Sequence, residues 1–246
     1  MRIALITDIH EDYQSLKKAF AAIERFGCDC VVCLGDITGF SPLFYSHKPD
    51  ANACVELLRE KADVVIAGNH DLYTSGRLPT YPHKKNIPAN WYDLSVADRI
   101  RLSRNKIWLY LDEIVPGMDS ENLNYLFSLP EWHVLEYNQT RILFTHFFQP
   151  DMAGIARWFP FNSLEIRDHF RFMKKNGCTL SFVGHSHPPG PVTVNRLFWS
   201  HPQGEAISIK KHHKAVICPA VVRGRHPGAV SLFDMDNQLL TPVMIH

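Results

Sequence analysis

The first third of the chain alternates between short continuous apolar runs and segments in which apolar residues recur with helical spacing. Continuous runs of about four residues are typical of buried strands, whereas apolar residues at i, i+3, i+4 and i+7 predict amphipathic helices. The pattern predicts strands at 3–6, 31–34 and 64–67, a helix through Leu16, Ala19, Phe20 and Ile23 that ends at Gly27, and a helix through Ala51, Cys54, Val55 and Leu58 that Asp50 caps. This order of elements is the signature of a right-handed parallel α/β unit.

The rest of the chain combines an irregular stretch with further helices and strands. Residues 74–93 contain three prolines among aromatic and basic residues, which predicts an excursion without regular structure. We find no internal repeat and no linker, so we expect residues 1–246 to form a single domain with a lid or cap at about 74–110. The later pattern predicts helices at 95–107, 120–127 and 163–176, with Ser120 as N-cap of the second, and strands at 132–137, 141–145, 180–183, 205–209, 215–218 and 229–234.

Composition and charge narrow the class of protein. The chain has 26 lysines and arginines against 25 acidic residues, which gives a formal net charge of +1. A dedicated nucleic-acid binder needs a basic excess to engage phosphates, so nucleic acid is disfavoured as a partner. No apolar run reaches the roughly 18 residues of a membrane-spanning helix. The six cysteines are predicted to be reduced core residues, and we expect a cytoplasmic protein without a membrane partner.

Chemically reactive side chains follow five of the predicted strands. In open α/β sheets the ligand crevice lies outside the carboxyl ends of the strands, so we expect these side chains to meet at one edge. Among the 14 histidines, those at strand ends are therefore the candidates for chemistry. The residues concerned are Asp8 and His10, Asp36, Asn69 and His70, His146, and His185 and His187.

The types of donor atom indicate divalent metal ions. The set offers nitrogen and oxygen ligands and no thiolate, which suits Mn²⁺, Fe, Zn²⁺ or Ni²⁺. If Asp36 bridges, the set provides three or four ligands for each of two cations. Two such ions about 3.5–4 Å apart clamp phosphoryl oxygens around a bridging hydroxide. The pattern therefore predicts a dinuclear metal centre that acts on a small phosphorylated substrate.

The order Asp-x-His, Gly-Asp, Gly-Asn-His-Asp, His and Gly-His-x-His resembles the calcineurin-like metallophosphoesterase superfamily. The resemblance runs from Arg2 to about Phe233, and the chain is similar in size to the small bacterial phosphodiesterase branch. It implies an α/β fold, a four-layer α/β/β/α sandwich. It also implies an enzyme that hydrolyses a phosphodiester or phosphomonoester by attack of a metal-bridging hydroxide, with a nucleotide-derived substrate left open.

The resemblance further implies a role for each site residue. His70 matches the histidine that protonates the leaving oxygen, and Asp71 is a candidate for orienting it. The first metal would be held by Asp8, His10, Asp36 and His187, and the second by Asp36, Asn69, His146 and His185.

The chain departs from the family pattern at two places. Glu11 and Asp12 replace the usual Gly-Asn after His10, and they either repel a strongly anionic substrate or, as we favour, begin the following helix. The usual Asn-Pro-Gly-Ser segment appears as residues 218–221 with the sequence Cys-Pro-Ala-Val. The two arginines beyond it, Arg223 and Arg225, either reach a phosphate or remain solvated.

Two aromatic-rich stretches either cover the metal site or pack as long loops against the sandwich. The first contains Arg77, Tyr81, His83, Lys84, Lys85, Trp91 and Tyr92, and the second contains Phe147, Phe148, Trp158, Phe159 and Phe161. Other classes remain as alternatives: a catalytically weak scaffold or binding protein that keeps the fold, and a nuclease. The complete set of donors and His70 favour the enzyme, and the near-neutral charge disfavours the nuclease. The sequence leaves a homo-oligomer open.

Overall fold

The computed structural model describes residues 1–81, 87–197, 199–201, 206–209 and 214–245. The strands in these ranges are β1 (Arg2–Ile6), β2 (Cys30–Cys33), β3 (Val64–Val65), β4 (Trp132–Tyr137), β5 (Thr140–Thr145), β6 (Leu180–Val183), β7 (Val192–Val194), β8 (Trp199–Ser200), β9 (Ile207–Ser208), β10 (Ala215–Ile217), β11 (Ala229–Asp234) and β12 (Leu239–Met244). The helices are α1 (Tyr13–Phe26), α2 (Ala51–Lys61), α3 (Asn69–Thr74), α4 (Val96–Ser103), α5 (Ser120–Ser128) and α6 (Arg167–Lys175), with a 3-10 turn at Trp91–Asp93.

The strands form two mixed sheets of six strands each. The first has the order β3-β2-β1-β11-β12-β9, in which β1, β2 and β3 run parallel, as the alternation of strands and helices predicts. The second has the order β4-β5-β6-β10-β7-β8, in which β5, β6 and β10 run parallel. In both sheets the parallel strands direct their carboxyl ends to one edge, which is where the predicted site residues lie.

Strand β1 shows how the sequence produces the layers. Ile3 and Leu5 contact apolar side chains from the other sheet, including Phe144. The intervening residues Ala4 and Ile6 belong instead to a cluster formed with α1, α2 and α5. Because successive strand residues face opposite sides, a continuous apolar run can join both clusters at once.

The second sheet carries its own helix on its outer face. Met173 of α6 contacts Leu143 of β5 in a separate apolar cluster. The described elements therefore stack as helix, sheet, sheet and helix, and the predicted four-layer α/β/β/α sandwich is confirmed. All six cysteines are free, and all except Cys28 are buried, as expected for core residues.

Helix ends follow local capping chemistry, and one predicted cap is wrong. Asp12 and Asp50 accept the backbone N–H groups that begin α1 and α2, and Gly27 ends α1 in the left-handed conformation. The N-cap of α5 is Asp119, whose carboxylate accepts the N–H of Asn122, rather than Ser120. The carboxylate of Asp119 caps the free backbone amides of the first turn, and Ser120 is therefore the first residue of the helix.

Several boundaries differ from the prediction. The third strand is shorter than predicted because residues 66–67 leave the sheet ladder. The helix predicted at 95–107 ends at Ser103, since Arg104 and Asn105 adopt positive φ angles. The helix predicted at 163–176 begins only at Arg167. Helix α3 and strand β12 are not among the predicted elements, and neither shows a clear apolar period. In the described ranges no helix has both the length and the apolar character that crossing a bilayer requires.

His169 in α6 is a buried histidine outside the predicted site. Its Nδ1 accepts the N–H of Gln149 (3.2 Å) and its Nε2 lies 3.0 Å from the hydroxyl of Ser181, so the ring is neutral. Burial lowers the pKa of His169 to about 3 from its usual value of 6.5. Between these two pH values the unfolded chain binds a proton that the native protein does not, and the free energy of unfolding therefore falls as the pH falls.

We expect His169→Gln to flatten this dependence, because glutamine keeps polar contacts and does not titrate. The slope of the unfolding free energy against pH, measured by urea denaturation between pH 6.5 and 4, should decrease by up to about 1.4 kcal/mol per pH unit. His201→Gln, at an exposed position, is the control and should leave the slope unchanged. Equal slopes for wild type and His169→Gln would show that the ring is protonated in the native state.

Candidate metal centre

The structure brings the predicted metal ligands together in two adjacent groups. Asp8, His10 and His187 form one group, and Asp36, His146 and His185 form the other. Within each group the donor atoms lie within 4.8 Å of one another. A third such group, formed by His10, Asp36 and His70, shares one residue with each of them. Each of the first two groups contains three of the four residues that the resemblance assigns to one metal.

Each ligand leaves its strand at the carboxyl end of a parallel segment. Asp8 and His10 follow β1, Asp36 follows β2, and Asn69 begins α3 directly after the β3 segment. The ligands from the second sheet are His146 after β5 and His185 and His187 after β6. The two sheets thus contribute donors from both sides of one crevice, as the strand-end pattern predicts.

The backbone at the ligands is held in an uncommon conformation. Non-glycine residues with positive φ cost about 1–3 kcal/mol each and persist only where surrounding contacts enforce them. Here the left-handed region is adopted by Asp8 (φ 53°), His10 (47°), Asp36 (54°), His185 (67°) and His187 (44°). This concentration of backbone strain marks the loops as a functional site independently of the side-chain types.

In the first group the donor atoms face one another closely. The Nε2 atom of His187 lies 3.1 Å from an oxygen of Asp8 and 3.2 Å from the Nε2 atom of His10. The Nδ1–H of His10 donates to the carbonyl of Gly39 (2.9 Å), which leaves the Nε2 lone pair free. In metal-binding histidines, a hydrogen bond from the nitrogen that does not coordinate commonly fixes the tautomer of the ring.

The second group repeats this arrangement. The Nε2 atom of His146 lies 3.1 Å from an oxygen of Asp36 and 3.2 Å from the Nδ1 atom of His185. The Nδ1–H of His146 donates to the carbonyl of Leu34 (2.7 Å). Asn69 donates its amide N–H to the hydroxyl of Tyr110 (2.8 Å), while its own buried carbonyl oxygen has no hydrogen-bond partner among the described residues.

Buried donor atoms that lack a hydrogen-bond partner fit a bound cation. Asn69 Oδ1 and His185 Nε2 are buried and lack a hydrogen-bond partner in the described ranges. Such atoms are destabilising unless an ion or proton satisfies them. The nitrogen and oxygen donors suit first-row divalent ions, so the residues fit the metals that the family pattern implies.

The electrostatics of the cluster keep its carboxylates ionised. Burial opposes ionisation of Asp8, but His187 and His146 hold its pKa below the usual range. Burial likewise opposes ionisation of Asp36, whose pKa His146 and His70 hold well below its usual value. Burial lowers the pKa of His185 to about 3, so this ring is neutral and able to coordinate.

Gly154 leaves room for two of these ligands. A Cβ atom at this position would lie 2.7 Å from Nδ1 of His185 and 3.0 Å from Oδ1 of Asn69, and the φ angle of 79° also favours glycine. Asp151 holds the surrounding loop by accepting the N–H groups of Ile155 (3.0 Å) and Ala156 (2.8 Å). The loop that follows β5 therefore shapes the second group without providing a ligand beyond His146.

His70 is oriented by Glu113 and not by Asp71. The Nδ1 atom of His70 lies 2.5 Å from a carboxylate oxygen of Glu113, and its Nε2 atom lies 3.8 Å from Asp36. The carboxylate of Asp71 instead accepts the backbone N–H groups of Ile37 (2.9 Å), Thr38 (3.0 Å) and Gly68 (3.0 Å). Asp71 therefore connects the loop after Asp36 with the loop before Asn69. The prediction that Asp71 orients His70 is wrong.

Glu113 was missed because nothing in the sequence singles it out. It lies in a segment without helical or strand periodicity, and no family motif includes it. Burial disfavours a charged His70 ring, but the carboxylates of Asp36 and Glu113 outweigh burial and raise the pKa of His70 to about 9. Cations bound at the ligands would offset the effect of the Asp36 carboxylate on the pKa of His70. Glu113 contacts Nδ1, the ring nitrogen on the side away from Asp36.

The two acidic residues after His10 have structural roles. Asp12 caps α1 by accepting the N–H of Ser15 (3.0 Å), as the favoured interpretation expects. Glu11 accepts the N–H groups of Gly39 (3.1 Å) and Phe40 (3.2 Å), which orders the loop after Asp36.

Most of the first aromatic stretch packs against the sandwich and does not cover the site. Trp91 is buried, and the hydroxyl of Tyr92 donates to the carbonyl of Arg77 (3.1 Å). Arg77 itself donates to the carbonyls of Phe127 and Leu129. Tyr81 packs against Phe172, while His83, Lys84 and Lys85 lie outside the described residues.

The second stretch divides between the site and the core. The rings of Phe147 and Phe159 lie 4.5 Å and 5.4 Å from the ring of His185, whereas Trp158 packs in an apolar cluster. Phe148 is buried in the same cluster and Phe161 is 90% exposed. Arg223 and Arg225 are both exposed, and Arg225 lines a small cavity beside His187.

Comparison with known proteins identifies the family. Residues 1–189 match the calcineurin-like phosphoesterase family, and the chain belongs to it. An uncharacterized protein of Methanocaldococcus jannaschii is 30% identical over 190 residues, which cover 76% of this chain and 63% of that protein. The match thus spans less than two thirds of the relative's length.

Solved structures share the fold. A metallophosphoesterase from Sphaerobacter thermophilus has a TM-score of 0.66 at 23% identity, covering 100% of this chain and 88% of that chain. A hypothetical protein from Pyrococcus horikoshii has a TM-score of 0.65 at 15% identity with the same coverage of 100% and 88%. A putative diadenosine tetraphosphatase has a TM-score of 0.53 at 13% identity, covering 100% of this chain and 95% of that chain.

Replacing Asp36 should remove metal from the protein, because Asp36 belongs to two of the donor groups. We expect Asp36→Asn to lower the divalent metal content per chain at least twofold, measured by mass spectrometry of protein purified with Mn²⁺. The control is Asp168→Asn on the exposed side of α6, which should retain the metal. Equal metal content in Asp36→Asn and wild type would refute the assignment of Asp36 as a ligand.

Proposed function

We propose that the protein is a dinuclear metal-dependent phosphoesterase that hydrolyses a phosphodiester or phosphomonoester, with nucleotide derivatives within the range of substrates. The observation that carries the proposal is the pair of adjacent donor groups with His70 beside them. Two divalent ions, of Mn, Fe, Zn or Ni, would polarise the phosphoryl group and activate the attacking water. The scaffold alternative is disfavoured because the described residues keep the whole donor set.

The residues of the chain divide the remaining work. The oxygen of water forms a bond to phosphorus, the P–O bond to the leaving alcohol breaks, and the alcohol oxygen takes a proton. His70 is placed to give that proton, since its Nε2 faces Asp36 at the edge of the metal groups and its ring lines the open cavity. Glu113 holds the ring by its opposite nitrogen and thereby keeps the proton donor pointing at the site.

The proposed activity is tested with a panel of phosphomonoesters, cyclic nucleotides, dinucleotides and aryl phosphodiesters in the presence of Mn²⁺. We expect turnover of at least one diester or monoester class, and we expect Asp36→Asn to abolish it. Asp168→Asn serves as the control and should keep wild-type rates. Metal binding without turnover of any member of the panel would favour a binding protein that retains the fold.

Loss of the proton donor should depend on the leaving group. We expect His70→Ala to reduce kcat for an ester with an alkyl leaving group by about 10²–10⁴-fold, because a poor leaving group needs protonation. The loss for a p-nitrophenyl ester should be much smaller, since this leaving group departs as a stable anion. A uniform loss across leaving groups would instead indicate a structural or metal-binding role for His70.

Glu113→Gln tests the contact that orients His70. Glutamine keeps the shape of the side chain and removes its charge, so the variant should reproduce part of the leaving-group dependence of His70→Ala. Its metal content should equal that of wild type, because Glu113 is not in either ligand group. Wild-type rates for both kinds of ester would exclude a role for Glu113 in the reaction.

A further inference from the structure

The candidate metal centre opens into a cavity whose walls are mostly apolar, whereas its floor is polar. The cavity has a volume of about 750 Å³, and its floor contains His70 and five of the candidate ligands, namely His10, Asp36, Asn69, His185 and His187. Apolar side chains dominate the walls above them, namely Ile100, Ile107, Trp108, Leu109, Leu111 and Phe159. A phosphate on the metals would therefore have its ester groups directed into mostly apolar surroundings.

The charges on the walls disfavour additional phosphates. Among the described residues that line the cavity, Arg157 is the one lysine or arginine. Its guanidinium lies 4.6 Å from the ring centre of Trp108. The walls also carry the carboxylates of Asp112 and Glu113. A polyphosphate would bring several negative charges to a wall that offers one cation and two anions, whereas a diester brings one.

Three polar side chains on the walls are already engaged within the protein. The hydroxyl of Ser41 donates to Asp112 (2.6 Å), and the hydroxyl of Ser103 donates to the carbonyl of Ile100 (2.9 Å). Asn105 accepts a hydrogen bond from Arg157. Few polar partners are left for a nucleobase edge or for sugar hydroxyls, and unpaired polar groups of a ligand are costly to bury.

The rim of the cavity exposes large apolar side chains. Phe44 is 70% exposed, Leu111 57%, Ile100 50% and Phe159 44%, and all four also line the cavity. Exposed apolar surface that is continuous with a binding cavity is typical of a site that an apolar ligand covers. The rim therefore extends the apolar walls beyond the volume that a small alcohol would fill.

We propose that the substrate is a phosphodiester with a single phosphate and a large, uncharged, apolar ester group that lies against these walls. This inference rests on the proposed phosphoesterase function and narrows its substrate class. Water and the diester yield a phosphomonoester and an alcohol: one P–O bond forms, one breaks, and the alcohol takes the proton. The metal groups bind the phosphate, and the apolar contact selects the ester group.

A series of p-nitrophenyl alkyl phosphates tests the inference, because the leaving group is constant while the alkyl chain grows. We expect kcat/KM of the Mn²⁺-loaded enzyme to rise at least thirtyfold from the methyl to the octyl ester, at concentrations below micelle formation. Full burial of a methylene group is worth about fourfold, so partial burial of the chain suffices. Diadenosine tetraphosphate should be a poorer substrate than the octyl ester.

Variants separate the cavity from general apolar effects. Ile100→Ser should lower the ratio of octyl to methyl kcat/KM at least threefold. The matched control Leu164→Ser removes a side chain that is 66% exposed and does not line the cavity, and it should leave the ratio unchanged. Independently of metals, metal-free protein should bind the uncharged fluorescent probe N-phenylnaphthylamine, and Ile100→Ser should bind it more weakly.

The outcomes distinguish this inference from the function on which it rests. Equal kcat/KM along the series, or faster turnover of diadenosine tetraphosphate, would overturn the apolar substrate while leaving the phosphoesterase in place. An unchanged ratio in Ile100→Ser together with unchanged probe binding would also overturn it. Turnover of a phosphomonoester but of neither alkyl diester would also overturn the diester inference, whereas turnover of no member of the wider substrate panel would refute the proposed function itself.

Discussion

The burial of carboxylates and imidazoles at one edge of two sheets is the constraint on which the rest of the structure depends. Asp8, His10, Asp36 and His146 are each at most 2% exposed. Asp36 lies 3.1 Å from His146, and Asp8 and His10 lie 3.1 Å and 3.2 Å from His187. Buried charges and lone pairs of this density are unfavourable unless paired with each other or with cations. The two sheets therefore supply an apolar frame that is stable enough to hold an unfavourable polar cluster.

Other buried carboxylates maintain the loops that carry the cluster. Glu11, Asp71 and Asp151 each accept backbone N–H groups from loops that follow strands. Burial outweighs these hydrogen bonds and raises the pKa to about 6 for Glu11 and Asp71 and to about 7 for Asp151. The acidic residues of the site thus serve two purposes: some face the metal positions, and others satisfy the backbone amides of strained loops.

The sequence predicts best those features that depend on local periodicity. The run at β1 indicates a buried strand because both of its faces are apolar, and the strand ends indicate the ligands because sheet geometry brings carboxyl ends together. The apolar spacing in α1 determines which face of the helix is buried. Asp12 caps the start of that helix by accepting the N–H of Ser15, only three residues further along the chain. Each of these inferences needs few residues and one rule of geometry.

Features that arise from long-range contact are not visible in the pattern. Glu113 reaches His70, and Tyr110 reaches Asn69, from a segment with no periodicity. The same holds for the positive φ of His185, which nothing in a Gly-His-x-His string announces. Asp71 illustrates the converse error. The resemblance made it a candidate for orienting His70, but successive residues at the start of a helix direct their side chains differently, and Asp71 accepts the N–H of Ile37 instead.

The segment at 107–113 therefore has more influence on function than its sequence suggests. Tyr110 accepts a hydrogen bond from Asn69, Glu113 is an anionic partner of His70, and Leu111 forms part of the apolar wall of the cavity. A ligand that presses on this wall acts on the same piece of backbone that positions His70 and Asn69. In the proposed function, the ester group and the reacting phosphate both depend on this one short segment, and a change there is expected to alter substrate choice and turnover together.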